Sequence, residues 1–290
     1  MKNYAESVRT RLSELGRRED IWFNYLITRY LHERFLYRLS KSSYTDNFCL
    51  KGGALLYALE GISARQTRDL DLLGRHLSNA PDKLKSCFEE ILSIEFETDG
   101  VVFDIASLST SEITKEGNYR GTRLEFWAIL GQIREKMQVD VGFGDIVIPA
   151  PVLMQFPTLL NLPAPEIQAY SVETVIAEKF HAMIQLGELN SRMKDYYDLY
   201  CLLRPDRFNP EVLLLAITET FKARGSTLPA DTISFLSAFV TNEDRRKQWV
   251  AFLKKSRLDP IDFEEAVNYI QKEITPFIDV IQRMSEEKYE

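Results

Sequence analysis

The sequence is poor in the residues that build disulfides and metal–thiolate sites, and it has no long apolar run. Its 290 residues include three cysteines and three histidines. The cysteines lie far apart, which favours reduced thiols, and the histidines share no spacing with cysteine or aspartate that is typical of a zinc site or a catalytic triad. No apolar run of about 18 residues exists, which excludes a transmembrane helix. Because the charged beginning of the sequence also lacks an apolar signal-peptide core, we expect a cytoplasmic protein that does not contact membranes.

Positively charged residues are also fewer than negatively charged ones. The chain has 36 Lys and Arg against 43 Asp and Glu, a formal net charge of −7. This balance argues against a surface covered with phosphate-binding charge. It is compatible with a local basic pocket, because affinity for phosphate depends on where the charges lie.

The order of the elements predicts two domains, at residues 1–150 and 151–290. Apolar residues at helical spacing predict helix over residues 5–40, and short runs such as "DNFCLKGG" and "TRDLDLLG" predict strands. The stretch "EFETDGVVFDIASL" predicts a hairpin at Asp99-Gly100. Residues 149–165 contain five prolines, and we predict that they join the two domains.

Beyond this junction the pattern predicts helices. Ser171 is predicted to cap a helix that ends near residue 186. Asn190 or Ser191 is predicted to cap the next helix, and Asn209, followed by proline, to begin a third. The fold class predicted from these elements is α+β in the N-terminal half, followed by a helical half.

The stretch "KGGALLYALEGISARQTRDLDLL", residues 51 to 73, carries the strongest chemical pattern. On a strand, Asp69 and Asp71 point to one face and Leu70 and Leu72 to the other. Two neighbouring carboxylates repel each other, so that one becomes protonated or a cation lies between them. Oxygen ligands of this kind suit Mg²⁺ or Mn²⁺. The pattern therefore predicts a metal site, although Asp-x-Asp on a strand is also found facing water.

Gly52 and Gly53 supply the second half of the pattern. A glycine pair between a strand and a helix lets backbone N–H groups approach an anion, and the helix N-terminus favours negative charge. Lys51 precedes the pair, and Arg68 lies just before the carboxylates. A Gly-Gly turn alone is often only a turn. With the two acids on the next strand, it favours a site for a nucleoside triphosphate and a metal, as phosphoryl or nucleotidyl transfer requires.

A third carboxylate, Asp140, lies in the predicted strand "KMQVDVGFGD". It is a candidate for a second-metal ligand or for the base that accepts a proton from an attacking hydroxyl. An aspartate at a strand end that faces water is the alternative. Tyr119 and Arg123 are candidates for the mouth of the cleft, but an exposed turn before a strand explains them equally well.

These motifs resemble the AbiEii/AbiGii toxin family of nucleotidyltransferase-like proteins. The resemblance rests on "FLYRLSKSSYTDNFCLKGGALL", "RQTRDLDLL", "VDVGFGD", "AEKFHAMI" and "NSRMKDYYDLY", and it covers roughly residues 20 to 205. It implies a nucleotidyltransferase-like mixed sheet with flanking helices, plus a C-terminal helical domain. It also implies a toxin of a toxin–antitoxin or abortive-infection pair, which uses an NTP with Mg²⁺ and is neutralised by a cognate antitoxin. Characterised relatives add nucleotides to RNA, notably to the acceptor end of tRNA.

The resemblance extends the candidate site into the helical half. By it, Lys179 and the Lys194-Asp195 pair match the C-terminal motifs and are expected to reach the nucleotide. Lys179 is then a phosphate-contacting or catalytic lysine that Asp195 orients, whereas the residues alone also favour a lysine paired with a carboxylate. The superfamily often has Gly-Ser where this chain has Gly53, which removes one hydroxyl contact to phosphate.

The resulting hypothesis is a Mg²⁺-dependent nucleotidyltransferase that transfers NMP from an NTP to an RNA, in particular a tRNA. Transfer to a small molecule or a protein hydroxyl is one alternative, and a non-catalytic nucleotide-binding protein of the same fold is another. The predicted metal ligands are Asp69, Asp71 and Asp140. The predicted catalytic residues are these three with Lys179 and Asp195, and the predicted nucleotide-binding residues are Lys51, Gly52, Gly53, Arg68, Lys179 and Lys194.

Overall fold

The structure is a computed structural model that describes residues 3–61, 64–115, 119–187, 191–229, 232, 240 and 242–286. The chain divides into two compact units. The first contains Met1–Gly144 and Val152–Ala169, and the second contains Asp145–Pro151 and Tyr170–Glu290.

The first unit is built of seven strands and four helices among its described residues. The strands are β1 Phe48–Lys51, β2 Asp69–Gly74, β3 Val101–Lys115, β4 Tyr119–Leu130, β5 Ile133–Phe143, β6 Val152–Gln155 and β7 Glu166–Ala169. The helices are α1 Tyr4–Arg18, α2 Phe23–Lys41, α3 Gly52–Glu60 and α4 Pro81–Leu92. All seven strands form one sheet in the order β3-β4-β5-β2-β1-β7-β6, with β2 parallel to β5, β1 parallel to β7 and the other neighbours antiparallel.

One face of the sheet is apolar, as strand alternation requires. Leu70 and Leu72 of β2 are 0% and 1% exposed, and their partners on β5, Val139 and Val141, are fully buried. Phe35 of α2 lies at the centre of the aromatic part of this core, and its ring packs within 6.3 Å of three other phenylalanine rings. Burial of this face fixes the register of β2, because a slip of one residue would bring its aspartates into the core.

Helix α2 also carries a buried ion pair. Arg38 donates from both terminal nitrogens to the carboxylate of Asp99, and both side chains are at most 2% exposed. Arg38 donates further to the carbonyls of Val101 and Arg34, at 3.1 and 3.2 Å, and the Tyr30 hydroxyl donates to the Asp99 carbonyl at 2.8 Å. These bonds attach the long helix to the start of β3.

Two predicted features of the first unit are wrong in detail. The helix over residues 5–40 is interrupted between Arg18 and Phe23. The predicted hairpin at Asp99-Gly100 is a 3₁₀ turn followed by a left-handed glycine, and Asp99 turns inward to Arg38 instead of closing two strands. The proline-rich stretch 149–165 contains β6, and β7 follows directly after it; each has only four residues, too few to show alternation in sequence. The role of this stretch as a junction stays a prediction.

The second unit is helical in its described part. Its helices are α5 Val172–Leu186, α6 Met193–Leu202, α7 Pro210–Ala223, α8 Glu243–Ser256 and α9 Phe263–Glu286. Ser171 caps α5 and Asn209 caps α7 through their side-chain oxygens, as predicted. Helix α6 has Arg192 at its N-cap, without a side-chain cap, so the predicted cap at Ser191 is wrong, and Asn190 lies outside the described residues.

A buried histidine joins two of these helices. His181 of α5 accepts a hydrogen bond at Nδ1 from Arg224, at 3.1 Å. Since an arginine can only donate, the proton of neutral His181 lies on Nε2, which donates to the Ser226 hydroxyl at 2.7 Å. Arg224 also binds Glu178 at 3.0 Å and faces Asp145 at 3.9 Å. Burial, with the Arg224 charge, lowers the pKa of His181 to about 4.

The first prediction concerns the Arg38–Asp99 pair. Asp99→Asn leaves a buried guanidinium without its counter-charge, and we expect it to destabilise the protein by about 3–5 kcal/mol. The control is Arg9→Gln, which removes the exposed Arg9–Glu6 pair and should change stability by less than about 1 kcal/mol. Urea denaturation measures both. Equal, small effects of the two substitutions would contradict a structural role for the buried pair.

The second prediction concerns acid stability. Because the pKa of His181 is about 4 in the folded chain and about 6.5 when unfolded, the unfolded chain binds the proton first. Stability is therefore lost as the pH falls from about 6.5 towards 4, by at most about 1.4 kcal/mol per pH unit for this group. We expect His181→Gln to flatten the pH dependence of the urea midpoint in this window. An unchanged slope would show that His181 is not buried in the neutral form.

Candidate active site

A row of charged side chains crosses the middle of the sheet. Asp71 on β2 is paired with Lys51 on β1 and with Asp140 on β5. Asp140 is paired in turn with Arg123 on β4. Residues that lie directly opposite one another on paired strands share a face of the sheet. The register therefore sets the charges in the order plus, minus, minus, plus on the face opposite to the apolar core.

Asp69 lies on the same face, two residues before Asp71. It is the first residue of β2, is exposed, and is paired with Gln138 on β5. Asp71 is half-buried. The strand and the shared face were predicted from the alternation with leucine, and the structure confirms both.

The glycine turn lies against this carboxylate pair. Gly52 begins α3 with a φ of +67°, and a Cβ at this position would overlap the carboxylate of Asp71 and lie 2.8 Å from its Cβ. A Cβ on Gly53 would lie 2.7 Å from the Cβ of Thr67. Both glycines are needed because β2 and the loop before it approach the start of the helix closely. The Thr67 hydroxyl thus lies beside the position where the superfamily often has a serine.

Helix α2 holds the loop that leads into β2. The Tyr25 hydroxyl donates to the carbonyls of Ala64 and Arg65, at 3.4 and 3.3 Å. His32 donates from Nε2 to the carbonyl of Arg68, at 3.2 Å. Burial lowers the pKa of His32 to about 4, so the ring is neutral at pH 7. These bonds fix the backbone immediately before Asp69, and they leave the Arg68 side chain exposed.

Asp140 is bound by an arginine. Arg123 donates from Nε to Oδ1 at 2.8 Å and from Nη2 to Oδ2 at 2.9 Å, while Gln138 donates to Oδ1 at 3.4 Å. Asp140 is 5% exposed. Hydrogen bonding to Asp140 raises the pKa of Arg123, so the guanidinium stays charged. Both carboxylate oxygens of Asp140 are thus engaged, and its predicted metal or base role stays a prediction.

Two of the three predicted residues of the second unit, Lys179 and Asp195, lie in one cluster of ion pairs. The Lys179 ammonium lies 3.0 Å from Asp195 Oδ1 and 2.5 Å from Asp198 Oδ2. The second oxygen of Asp195 lies 2.9 Å from Arg192 Nε. The side chains of the two aspartates are 2% exposed and that of Lys179 is 12% exposed. The sequence predicted a pairing of Lys179 with a carboxylate, and in the structure Asp195 and Asp198 share its ammonium. Lys194 is exposed on α6.

The donor set of the first unit fits a small, hard cation. Asp69 and Asp71 carry carboxylate oxygens on one face, and the missing Cβ of Gly52 lets the Asp71 carboxylate lie against the start of α3. Mg²⁺ accepts one or two protein carboxylates and completes its shell with water and substrate phosphates. Within the described residues, no group of three or more His, Cys, Asp or Glu side chains is arranged to hold a metal without such help.

Sequence reasoning gave no functional role to Tyr25, His32 or Thr67, and it left Arg123 as one of two residues at a cleft mouth. Tyr25 and His32 read as core residues of a helix, and their partners are backbone carbonyls about 36 to 40 residues away. The Arg123–Asp140 pair follows from the β4–β5 register. The one sequence signal for this pair is the hairpin: if β4 and β5 are recognised as its two strands, their pairing sets Arg123 opposite Asp140.

The fold is similar to that of a solved structure described as a nucleotidyltransferase. A crystal structure from H. pylori, described as a candidate nucleotidyltransferase, matches with a TM-score of 0.54 and 15% identity, covering 90% of this chain and 97% of that one. JHP933 from Helicobacter pylori matches with a TM-score of 0.49 and 15% identity, covering 88% and 93%. The first likeness confirms the predicted fold class, and at this identity it shows the fold alone. No curated protein matches the chain significantly.

The family follows from the sequence match. The family model for the nucleotidyl transferase AbiEii toxin of type IV toxin–antitoxin systems matches residues 34–269. The chain therefore belongs to the AbiEii nucleotidyltransferase toxin family. The match confirms the family predicted from the motifs and extends it beyond residue 205. No described helix is both long and apolar enough to cross a membrane.

The third prediction tests the glycine turn. Gly52→Ala forces a methyl group into the Asp71 carboxylate and strains a backbone with positive φ, which costs at least about 1 kcal/mol. Gly61→Ala is the matched control, because Gly61 has a φ of +74° and no atom of the described residues lies within 4 Å of its Cβ position. We expect thermal unfolding to show a larger loss of stability for Gly52→Ala. Equal losses would mean that Asp71 does not approach the turn this closely.

Proposed function

We propose that the protein transfers NMP from an NTP to the 3′ hydroxyl of an RNA, in particular a tRNA, and that a cognate antitoxin protein neutralises it. The family supports nucleotidyl transfer, a toxin and an antitoxin partner. The observation that carries the proposal is the contact of the Gly52–Gly53 turn with the Asp69/Asp71 face of β2. This contact brings a phosphate-binding helix start and two acids together.

We assign the divalent cation to Asp69 and Asp71. Bound there, Mg²⁺ or Mn²⁺ would supply charge neutralisation and alignment of the triphosphate, the contribution that nucleotidyl transfer most needs. The chain's own part is to hold both carboxylates on one face and to keep Gly52 free of a side chain. Asp140, as a second-metal ligand or a base, stays a prediction.

The phosphates have a cradle of backbone and cationic groups. The first N–H groups of α3 have no partner within the helix, and the helix dipole favours an anion at this end. Lys51 precedes them in the charged row, and Arg68 lies in the loop before β2. We propose that these groups bind the triphosphate and that the Thr67 hydroxyl adds the contact that Gly53 lacks.

The cations of the second unit are assigned from the family motifs. We propose that Lys179 and Lys194 contact phosphates and that Asp195 orients Lys179. The geometry of Lys179 is compatible with this role, because two carboxylates hold its ammonium in place. A contact of Lys179 with phosphate would have to share the ammonium with both acids.

The proposed reaction balances without a further reactant. The 3′ hydroxyl oxygen attacks the α-phosphorus of the NTP, the bond from the α-phosphorus to the bridging oxygen breaks, and pyrophosphate leaves. The hydroxyl proton passes to a base or to water. The RNA chain grows by one NMP. We propose that the reaction takes place in the cytoplasm, where NTP and RNA occur together.

The fourth prediction tests this proposal. Purified protein is incubated with Mg²⁺, each α-³²P-labelled NTP in turn, and total bacterial RNA. We expect label in tRNA-sized RNA, reduced at least about 100-fold by Asp69→Asn, because loss of a charged metal ligand costs transition-state stabilisation of about 2.7 kcal/mol or more. Asp259→Asn, an exposed acid on a loop, should leave transfer unchanged.

The other outcomes identify the rival functions. Label on protein or on a small molecule would show that the acceptor is a protein hydroxyl or a small molecule and not an RNA. Nucleotide binding without any transfer would favour a non-catalytic nucleotide-binding protein. Full transfer by Asp69→Asn would overturn the metal assignment.

A further inference from the structure

Arg123 lies on the same face of the sheet as the proposed metal ligands, with part of its guanidinium unused. Its Nε and Nη2 hold Asp140, at 2.8 and 2.9 Å. A guanidinium has five N–H donors, so three N–H groups remain on Nη1 and Nη2. Within the described part of the chain these three N–H groups make no hydrogen bond, and the side chain is 35% exposed. A charged edge is therefore available to an outside ligand.

The position of this edge suggests which ligand it takes. Arg123 pairs with Asp140, and Asp140 pairs with Asp71, so the arginine lies on the charged face two strands away from the proposed metal ligands. Asp69 is close enough to act electrostatically on Arg123. A carboxylate that fixes one edge of an arginine directs the other, and a guanidinium edge matches phosphate oxygens.

We propose that Arg123 is a phosphate-binding residue of this site, which contacts the phosphate chain of the nucleotide, and that Asp140 is the positioning residue that holds it. The inference rests on the proposed function, since it needs a nucleotide at the Asp69/Asp71 face. In this proposal Asp140 holds Arg123 in position through the two hydrogen bonds that its carboxylate accepts. A second metal ion at Asp140 would have to displace Arg123 from both carboxylate oxygens.

The fifth prediction separates this role from metal ligation. The measurement is equilibrium binding of each radiolabelled NTP, in saturating Mg²⁺ and across a Mg²⁺ titration. The variants are Arg123→Gln, Arg123→Lys, Asp140→Asn and the double variant Arg123→Gln/Asp140→Asn. We expect Arg123→Gln to raise the Kd for NTP at least about tenfold, with Arg123→Lys intermediate. Asp140→Asn should weaken binding in the same way, and the double variant should be no worse than Arg123→Gln alone, because the two residues act as a unit.

The matched control is Arg134→Gln. Arg134 lies 3.5 Å from Asp104 in another arginine–aspartate pair of the same sheet, and its loss should leave the Kd for NTP unchanged. Melting temperatures of all variants distinguish lost binding from lost folding. If Arg123→Gln does not fold, Arg123→Lys carries the test, because it keeps the charge but not the bidentate geometry.

Each outcome bears on one assignment. Wild-type affinity in both Arg123 variants, while the unmodified protein binds NTP, would overturn the inference and leave the proposed function standing. A higher Mg²⁺ requirement in Asp140→Asn alone would also overturn it and would make Asp140 a metal ligand. Absence of NTP binding by the unmodified protein would overturn the proposed function and this inference together.

Discussion

The rest of the structure depends on the repulsion between two neighbouring aspartates, Asp71 and Asp140, at the centre of the sheet. Parallel pairing of β2 with β5 sets Asp71 directly opposite Asp140, and like charges in such positions repel. The sheet compensates with a cation on each outer side, Lys51 on β1 and Arg123 on β4. Hydrophobic burial of the leucines on the other face holds the register, so the acids cannot move apart by slipping. The result is a face with two acids between two cations, on which the proposed site for phosphates and a divalent cation rests.

The neighbouring elements serve to keep this arrangement in place. Helix α2 is buried along most of its length, and several of its polar side chains bind backbone carbonyls or a buried acid. Tyr25 and His32 fix the loop before Asp69, and Arg38 fixes the start of β3 through Asp99. Such buried polar contacts are costly to break. The precision of the site therefore depends on a helix that contributes no group to the proposed chemistry.

Local patterns predicted the parts of the site that lie close together in sequence. Alternation with leucine placed Asp69 and Asp71 on one face, and the strand–turn–helix order placed Gly52 at the helix start. Contacts between strands were less accessible: the Arg123–Asp140 pair depends on the register of the β4–β5 hairpin, and no pattern in β5 alone indicates that Arg123 holds both oxygens of Asp140. Asp99 is a second example. The Asp99-Gly100 pair predicts a hairpin turn, whereas in the structure the Asp99 carboxylate binds Arg38. Strands β6 and β7 are fixed by the sheet that they join, because four residues each are too few to show a pattern of their own.

The central claim is that Asp69 and Asp71 hold a divalent cation together with the triphosphate on the Gly52–Gly53 turn. Its most direct test is a crystal structure of the protein with Mn²⁺ and a non-hydrolysable NTP, with data collected for the anomalous signal of manganese. The account predicts an anomalous peak within bonding distance of oxygens from both aspartates and from the triphosphate. A nucleotide bound elsewhere, or manganese at neither carboxylate, would contradict it.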